Sequence, residues 1–312
     1  MKKVRIIILT IFTISVFSCI SFADQGTTAA VFLKLEQGAR PIGMGGAFTA
    51  AADDANAVLW NPAGLGQLTK MEATLMHTIW FADIWYDYVA VAVPGGEIGT
   101  FGLGVVYVNS GEIKSWDQLG TLLPSFTAWD LGVTLSYGTF LNEEVSVGVS
   151  LKLFNEQIQD EGAFSFAADI GVIYKFPVKG LKLGVLLQNL GPKFGFGEAF
   201  FLPIAFKIGV SYEGIRNMLL TLDYIQPIET YGIIALGFEY WYREIVVLRV
   251  GYQYQGMFDV NRWYENYGGP EILAGFVMGA GLKIDIYEID YAYRQYGVLE
   301  STHRLGLTLK FK

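Results

Sequence analysis

The side chains of this 312-residue chain that could do chemistry are few and far apart. Histidine occurs twice, as His77 and His303, and cysteine once, as Cys19. Neither histidine stands in a motif with a nucleophile or a base partner, so acyl transfer of the Ser-His-Asp kind has no seat. No spacing suits zinc. Gly43-Met44-Gly45-Gly46 begins like a dinucleotide loop, but Phe48 stands where the third glycine belongs and no strand-turn-helix context follows. The chain is therefore not expected to be an enzyme or to hold a metal or cofactor. A net charge of −8 argues against nucleic acid as a partner.

What remains is a set of charged residues embedded in alternating stretches: Asp130, Lys152, Asp169, Lys175, Lys182, Lys207, Asp223, Glu239, Arg249, Lys283, Asp290, Arg294 and Arg304. Val145 to Leu153 alternates apolar with small or polar residues, and so do Trp129 to Tyr137, Ile204 to Tyr212 and Leu305 to Phe311. This is period 2, the strand signature. The charges share the face that carries Gly, Ser and Thr. They serve either as a network that stiffens a wall or as the lining of a conduit. At mid-bilayer an Arg or Lys on the opposite face would cost about 2–4 kcal/mol.

The elements that must position these residues follow from composition. The chain is 52% hydrophobic and only 17% charged, against about a quarter charged in soluble domains. Beyond the first two dozen residues it has no apolar run long enough for a membrane helix. The expected fold is an all-β transmembrane barrel of about fourteen antiparallel strands with a small N-terminal hatch. The strands are expected near 72–81, 84–93, 98–108, 127–140, 145–155, 163–176, 181–188, 204–213, 217–225, 231–242, 245–255, 272–284, 286–295 and 303–311. Links after even-numbered strands are short. The long ones, 109–126, 156–162, 189–203 and 256–271, all follow odd-numbered strands. A barrel of the outer-membrane type sorts its loops this way, short on the periplasmic side. Trp80, Phe81, Trp85 and Tyr86 at one rim and Phe140, Phe176, Tyr240, Trp241 and Tyr242 at the other are read as interfacial girdles.

The N-terminus begins with the basic Met1-Lys2-Lys3-Val4-Arg5, continues with the apolar Ile6 to Ile20, and reaches small residues at Ser21 and Ala23. This pattern is that of a signal peptide cleaved before Asp24 rather than an anchor helix. Cys19 is then an ordinary signal-peptide residue, since Phe17 suits a lipobox poorly. The expected organisation is a signal peptide over 1–23, a hatch segment over 24–70 and a barrel over 71–312.

The hatch is read from Gly43 to Gly66. Ala50 to Leu59 has helix formers, and Asp53 or Asp54 can cap a first turn. Asn61 precedes Pro62, so it is suited to an N-cap with Pro62 at the first position of a second turn. Gly64 and Gly66 are expected to close it. The segment is too small to fold alone, so its place is inside the barrel's periplasmic mouth. The candidate hatch residues are Gly45, Gly46, Asp53, Asp54, Trp60, Asn61, Pro62, Ala63, Gly64 and Leu65.

These residues resemble the PorV/PorQ family of outer-membrane proteins, which belongs with the FadL-like long-chain fatty acid transporters. The resemblance rests on Gly38-Ala39-Arg40-Pro41-Ile42-Gly43-Met44-Gly45-Gly46-Ala47-Phe48, on Ala52-Asp53-Asp54-Ala55 and on Trp60-Asn61-Pro62-Ala63-Gly64-Leu65. Asp290-Tyr291-Ala292-Tyr293 and Thr302-His303-Arg304-Leu305 add to it. It implies fourteen strands, a bacterial outer membrane and assembly by the barrel-assembly machinery, with membrane lipid around the wall. The final strand resembles the terminal aromatic signal of such barrels, with Phe311 next to last and Lys312 beyond it. Two functions are consistent with it. One is a hatch-gated conduit for hydrophobic small molecules. The other is a protein-binding barrel that shuttles secreted cargo of type IX secretion.

Overall fold

The computed structural model describes residues 26–81, 84–255, 275–296 and 301–311. The signal-peptide reading, Cys19, Lys312 and the whole 256–271 link lie outside the described residues.

Fourteen strands form one closed antiparallel barrel. They are β1 (Glu72–Ile79), β2 (Trp85–Pro94), β3 (Thr100–Trp116), β4 (Leu122–Phe140), β5 (Val145–Ile158), β6 (Glu161–Lys175), β7 (Leu181–Leu190), β8 (Ala205–Tyr212), β9 (Met218–Pro227), β10 (Ile233–Tyr242), β11 (Val246–Gln255), β12 (Phe276–Ile284), β13 (Tyr287–Gln295) and β14 (Ser301–Lys310). Each pairs with its sequence neighbours, and β1 closes on β14 with Glu72 opposite Lys310. Closure leaves no free sheet edge. Among the described residues no helix is long and apolar enough to cross a membrane.

The alternation sets the two faces. Along β5, Ser146, Gly148, Ser150, Lys152 and Phe154 are buried, while Val149, Leu151 and Leu153 are exposed. Leu103, Leu135, Ile170, Leu222 and Leu248 continue that apolar outer face around the barrel. Both barrel termini lie at one end. The turns there are tight: Arg243 and Glu244 have φ of 51° and 58°, the signature of the primed turns that match strand twist.

Two links expected to be long are sheet instead. β3 and β4 stay paired out to Trp116 opposite Leu122, with register shifts after Asn109 and Ile113. Only the tip remains a turn, where Asp117 Oδ1 accepts from Leu119 N (2.9 Å) and Thr121 N (2.7 Å). β5 and β6 run on to Ile158 opposite Glu161, which shortens the 156–162 link to two residues. The β-branched and aromatic residues of these stretches prolong the ladder past turn-like Ser, Gly and Glu, with bulges absorbing the mismatch. The girdles also need correction. Tyr86 is fully buried and faces the lumen, and Trp241 turns inward to donate from Nε1 to Glu239 Oε1 at 3.1 Å. Trp80 packs on Tyr86 and Tyr296. Trp85, Phe140, Phe176 and Tyr242 remain exposed at the rims.

Candidate functional site

Residues of the 26–70 segment fill the lumen. At the far end Thr28 pairs with Phe201 in a parallel bridge. The chain then makes short helical turns at Val31–Lys34, Ala39–Gly43, Ala57–Trp60 and Pro62–Gln67 before β1. Of the helix formers in Ala50–Leu59, with the first turn expected to be capped by Asp53 or Asp54, only the turn Ala57–Trp60 is helical. The reason is that carbonyls just upstream are engaged elsewhere: Thr49 O by Asn61 Nδ2 (2.7 Å), Ala50 O by Ser211 Oγ (3.3 Å) and Ala52 O by Gln67 Nε2 (3.0 Å). Asn56 takes the N-cap position, and Asp54 Oδ1 accepts from Asn56 N at 2.8 Å.

Asn61 is extended (φ −158°, ψ 104°), and its Oδ1 accepts from Ala63 N at 3.2 Å, with Pro62 opening the turn. Asn61 and Leu65 are fully buried, and Ala63 O accepts from Ser146 Oγ at 2.5 Å. Gly64 and Gly66 do not end the turn, which runs to Gln67. Gly64 is there for contact, since a Cβ on it would lie 2.0 Å from Ala52 O.

The wall meets this segment backbone to backbone. A Cβ on Gly148 would lie 2.2 Å from Pro62 C, and one on Gly251 2.1 Å from Gly45 N. Gly138 and Gly184 are equally close to the Pro62 and Thr49 carbonyls, and Gly171 to the Asn61 side chain. Strand glycines of this kind mark places where another backbone approaches. On the segment side, Gly45 and Gly46 hold φ of +64° and +75°, which glycine adopts without steric cost.

Charge ties the segment to the wall. Arg40 Nη1 lies 2.6 Å from Asp53 Oδ1 and 2.8 Å from Asp54 Oδ2, and its Nε lies 3.0 Å from Glu239 Oε2. Glu239 also takes Arg249 Nε at 2.6 Å. Arg249, almost wholly buried, reaches Glu288 Oε1 at 3.2 Å and pairs with Asp290. Burial alone would push the Asp53 carboxyl up; Arg40, then Lys182, outweigh it and hold it below the usual carboxylate range. Burial also opposes the charge of Arg40, but Asp53, Glu239 and Asp54 keep it firmly protonated.

The other candidate charges lie at inward positions. Lys152 Nζ is 2.8 Å from Asp169 Oδ2 and donates to Asn189 Oδ1 at 2.7 Å. Asp223 Oδ2 accepts from Thr49 N at 2.8 Å. Lys207 lies over the Trp60 ring at 5.3 Å, and Trp60 Nε1 donates to Gln37 O at 2.7 Å. Arg294 pairs with Glu36 and Gln253. Arg304 is fully buried over Trp80. Asp130 is half-buried towards the far end of β4. Nearer the turns, Lys175 sits over Phe140, Lys182 pairs with Glu213, and Lys283 is exposed.

Above the segment, on the side of the far-end loops, lies a cavity of about 440 Å³. Leu33, Leu35, Leu59 and Trp60 line it from the segment, and Ala205, Ile225 and Ile233 from the wall. Its polar lining includes Lys34, Glu36, Gln188, Lys207, Glu229 and Arg294. Glu229 is occupied by Lys34 Nζ (2.5 Å) and Thr28. Sequence reasoning had assigned no role to Arg40, Glu36, Glu229 or the wall glycines. The one signal for the glycines was their recurrence on the small-residue face of the strands.

A model of the uncharacterised protein family (UPF0164) matches residues 19–188. The UPF0164 protein of Treponema pallidum (strain Nichols) is 23% identical over 284 residues, which is 83% of this chain and 63% of that protein. The chain thus spans less than two thirds of the length of that relative. Among solved structures, the Ralstonia pickettii toluene transporter TbuX is similar with a TM-score of 0.62 at 13% identity, over 88% of this chain and 98% of that one. The Pseudomonas putida toluene transporter TodX gives 0.61 at 13%, over 88% and 97%. A Pseudomonas aeruginosa FadL homologue gives 0.56 at 13%, over 86% and 96%. At these identities the likeness is one of fold.

Proposed function

The chain belongs to the uncharacterised protein family UPF0164, and from that premise we propose that it is an outer-membrane barrel of PorV/PorQ type that conducts hydrophobic small molecules. The observation that carries this reading is the cavity beside Trp60. Its apolar side chains, Leu33, Leu35, Leu59, Trp60, Ile225 and Ile233 among them, stand beside a comparable number of polar and charged ones, and a cavity of this size with convergent polar groups is suited to a small molecule. The toluene transporters of similar fold support the same class of cargo. In this reading a signal peptide is removed, the barrel-assembly machinery inserts the chain, and lipid covers the outer face. The N-terminal segment is the gate. Its backbone is seated on the wall glycines, so passage opens by local rearrangement around the cavity rather than by loss of the whole plug.

The test is flux into liposomes that carry the barrel, with toluene or a hydrophobic dye as probe. The wild type is expected to accelerate uptake. Ala205→Trp, which fills the cavity, is expected to remove that acceleration while the barrel stays folded. Uptake at the wild-type rate in a folded Ala205→Trp barrel would take the cavity out of the path.

A second reading is favoured by one observation. The tip of the β3–β4 hairpin exposes Trp116, Leu119, Leu122 and Leu123 together, and exposed apolar patches mark binding surfaces. They suit a barrel that holds secreted cargo of a type IX system. Replacing those four residues with serine should then abolish cargo capture and leave flux intact.

A further inference from the structure

Arg304 on β14 is fully buried, yet its Nε and Nη1 find no hydrogen-bond partner. Among the described residues Nη2 alone is engaged, donating to Tyr296 Oη at 2.9 Å. The rings of Trp80 and Tyr296 face the guanidinium at 5.5 and 5.9 Å. Around it the inward face is rich in idle donors. Thr78, opposite Arg304 across the β1–β14 closure, is fully buried with a free hydroxyl. Thr302, two residues along the same face, is likewise buried and free. Opposite Thr302 stands Arg294, whose Nε has no partner either. Tyr86, opposite Thr78, already donates to Glu36 O at 3.3 Å.

The charges do not balance among the described residues. Glu36 is bound by Arg294 and Gln253, and no other carboxylate of the described residues pairs with Arg304. A buried guanidinium without a counter-charge costs several kcal/mol. The hydroxyls of Thr78 and Thr302 and the N–H groups of Arg304 are left idle together, and a hydroxyl that accepts from the guanidinium would still supply no counter-charge. Water could satisfy the donors but would leave the charge.

We propose that Arg304, Thr78 and Thr302 bind a small monovalent anion, chloride or one of similar size, at the seam where the barrel closes. The guanidinium supplies a charge-assisted hydrogen bond and the two threonine hydroxyls complete the shell. Trp80 and Tyr296, which also line the apolar cavity, screen the ion from it. An anion bound only by the folded barrel stabilises it with a saturating concentration dependence.

The test uses the folded barrel in zwitterionic detergent. Chloride is exchanged for gluconate at constant ionic strength, and the thermal midpoint is read by tryptophan fluorescence. The midpoint is expected to rise with chloride and saturate. Arg304→Gln should lose this dependence altogether. Thr302→Val, which keeps the charge and the size, should raise the half-saturating chloride concentration several-fold. Crystals soaked in bromide should give an anomalous peak beside Arg304. A midpoint that ignores chloride, or a peak without any effect on stability (an adventitious ion only), would overturn the site. So would a barrel indifferent to chloride that is weakened by Asp83→Asn or Glu300→Gln, which lie outside the described residues, since a carboxylate of the chain would then be the acceptor.

Discussion

Arg40 of the N-terminal segment and Glu239 of β10 meet through two hydrogen bonds, Nε to Oε2 at 3.0 Å and Nη2 to Oε1 at 3.2 Å. They come from positions 199 residues apart in sequence, so this pair fixes plug to wall where the chain itself does not. Removing one partner of a buried pair costs about 3–5 kcal/mol. Arg40→Met should fall within that range: Arg249 still faces Glu239, but the buried Asp54 loses its cation. Urea unfolding of the purified barrel, followed by intrinsic fluorescence, measures it. A change under about 1 kcal/mol, the range of exposed pairs, would mean the tie is ornamental.

The same cluster sets a pH dependence. The Asp53 carboxyl is held below its ordinary value, so the folded state favours its ionised form. That contribution is complete above the unfolded value of about 4 and is lost as pH falls through the folded value. Its side chain is 30% exposed, so solvent screens part of the effect. Wild type should lose more stability between pH 5 and pH 3 (roughly the carboxylate range) than Asp53→Asn does. Parallel curves for the two proteins would remove Asp53 from the account.

Glycine contacts of the wall differ in what they press against. Gly148→Ala would drive a Cβ into the Pro62 backbone at 2.2 Å, whereas Gly132→Ala meets the edge of the Phe32 ring at 3.2 Å. Overpacking typically costs about 1–3 kcal/mol, and a backbone cannot step aside as a ring can. Gly148→Ala should therefore lower the heat-modification midpoint on gels clearly more than Gly132→Ala. Equal midpoints would show that the turn at Pro62 is not seated on the wall.

Asn61 holds its own turn and the turn at Thr49, through Ala63 N and Thr49 O. Asn61→Ala should cost about 1–2 kcal/mol, the range for a lost N-cap, and Pro62→Gly should add about 0.4–1 kcal/mol through chain entropy. The double variant is expected to assemble and to change the rate of probe uptake. Assembly with unchanged uptake would argue that this turn takes no part in gating.

Much of the barrel was legible because period 2 is a property of single strands. Every lumen charge in Asp290 to Arg304 could be placed by counting in twos from an apolar neighbour. The N-terminal segment was legible only locally. Asn61-Pro62 announced a capped turn, since those residue types restrict their own backbone. The helix formers of Ala50–Leu59 yield only the turn Ala57–Trp60, because Ala50 and Ala52 give their carbonyls to Ser211 and Gln67, partners that propensity cannot see. Tyr86 and Trp241 were misplaced for a related reason. Nearness to a strand end marks an aromatic residue, but the face it takes depends on register alone.

The close seating of Pro62 on Gly148 also fixes an order of events. Thr28 meets Glu229 across 201 residues of sequence, and such long-range contacts form late and slowly. The N-terminal segment cannot be threaded into a finished cylinder whose inner glycines already leave no clearance. A wall that curls around it instead leaves the plug residues solvated until β14 returns to β1. A chain that closes without them would be a hollow shell with its glycine track bare, and it would have no route back except unfolding.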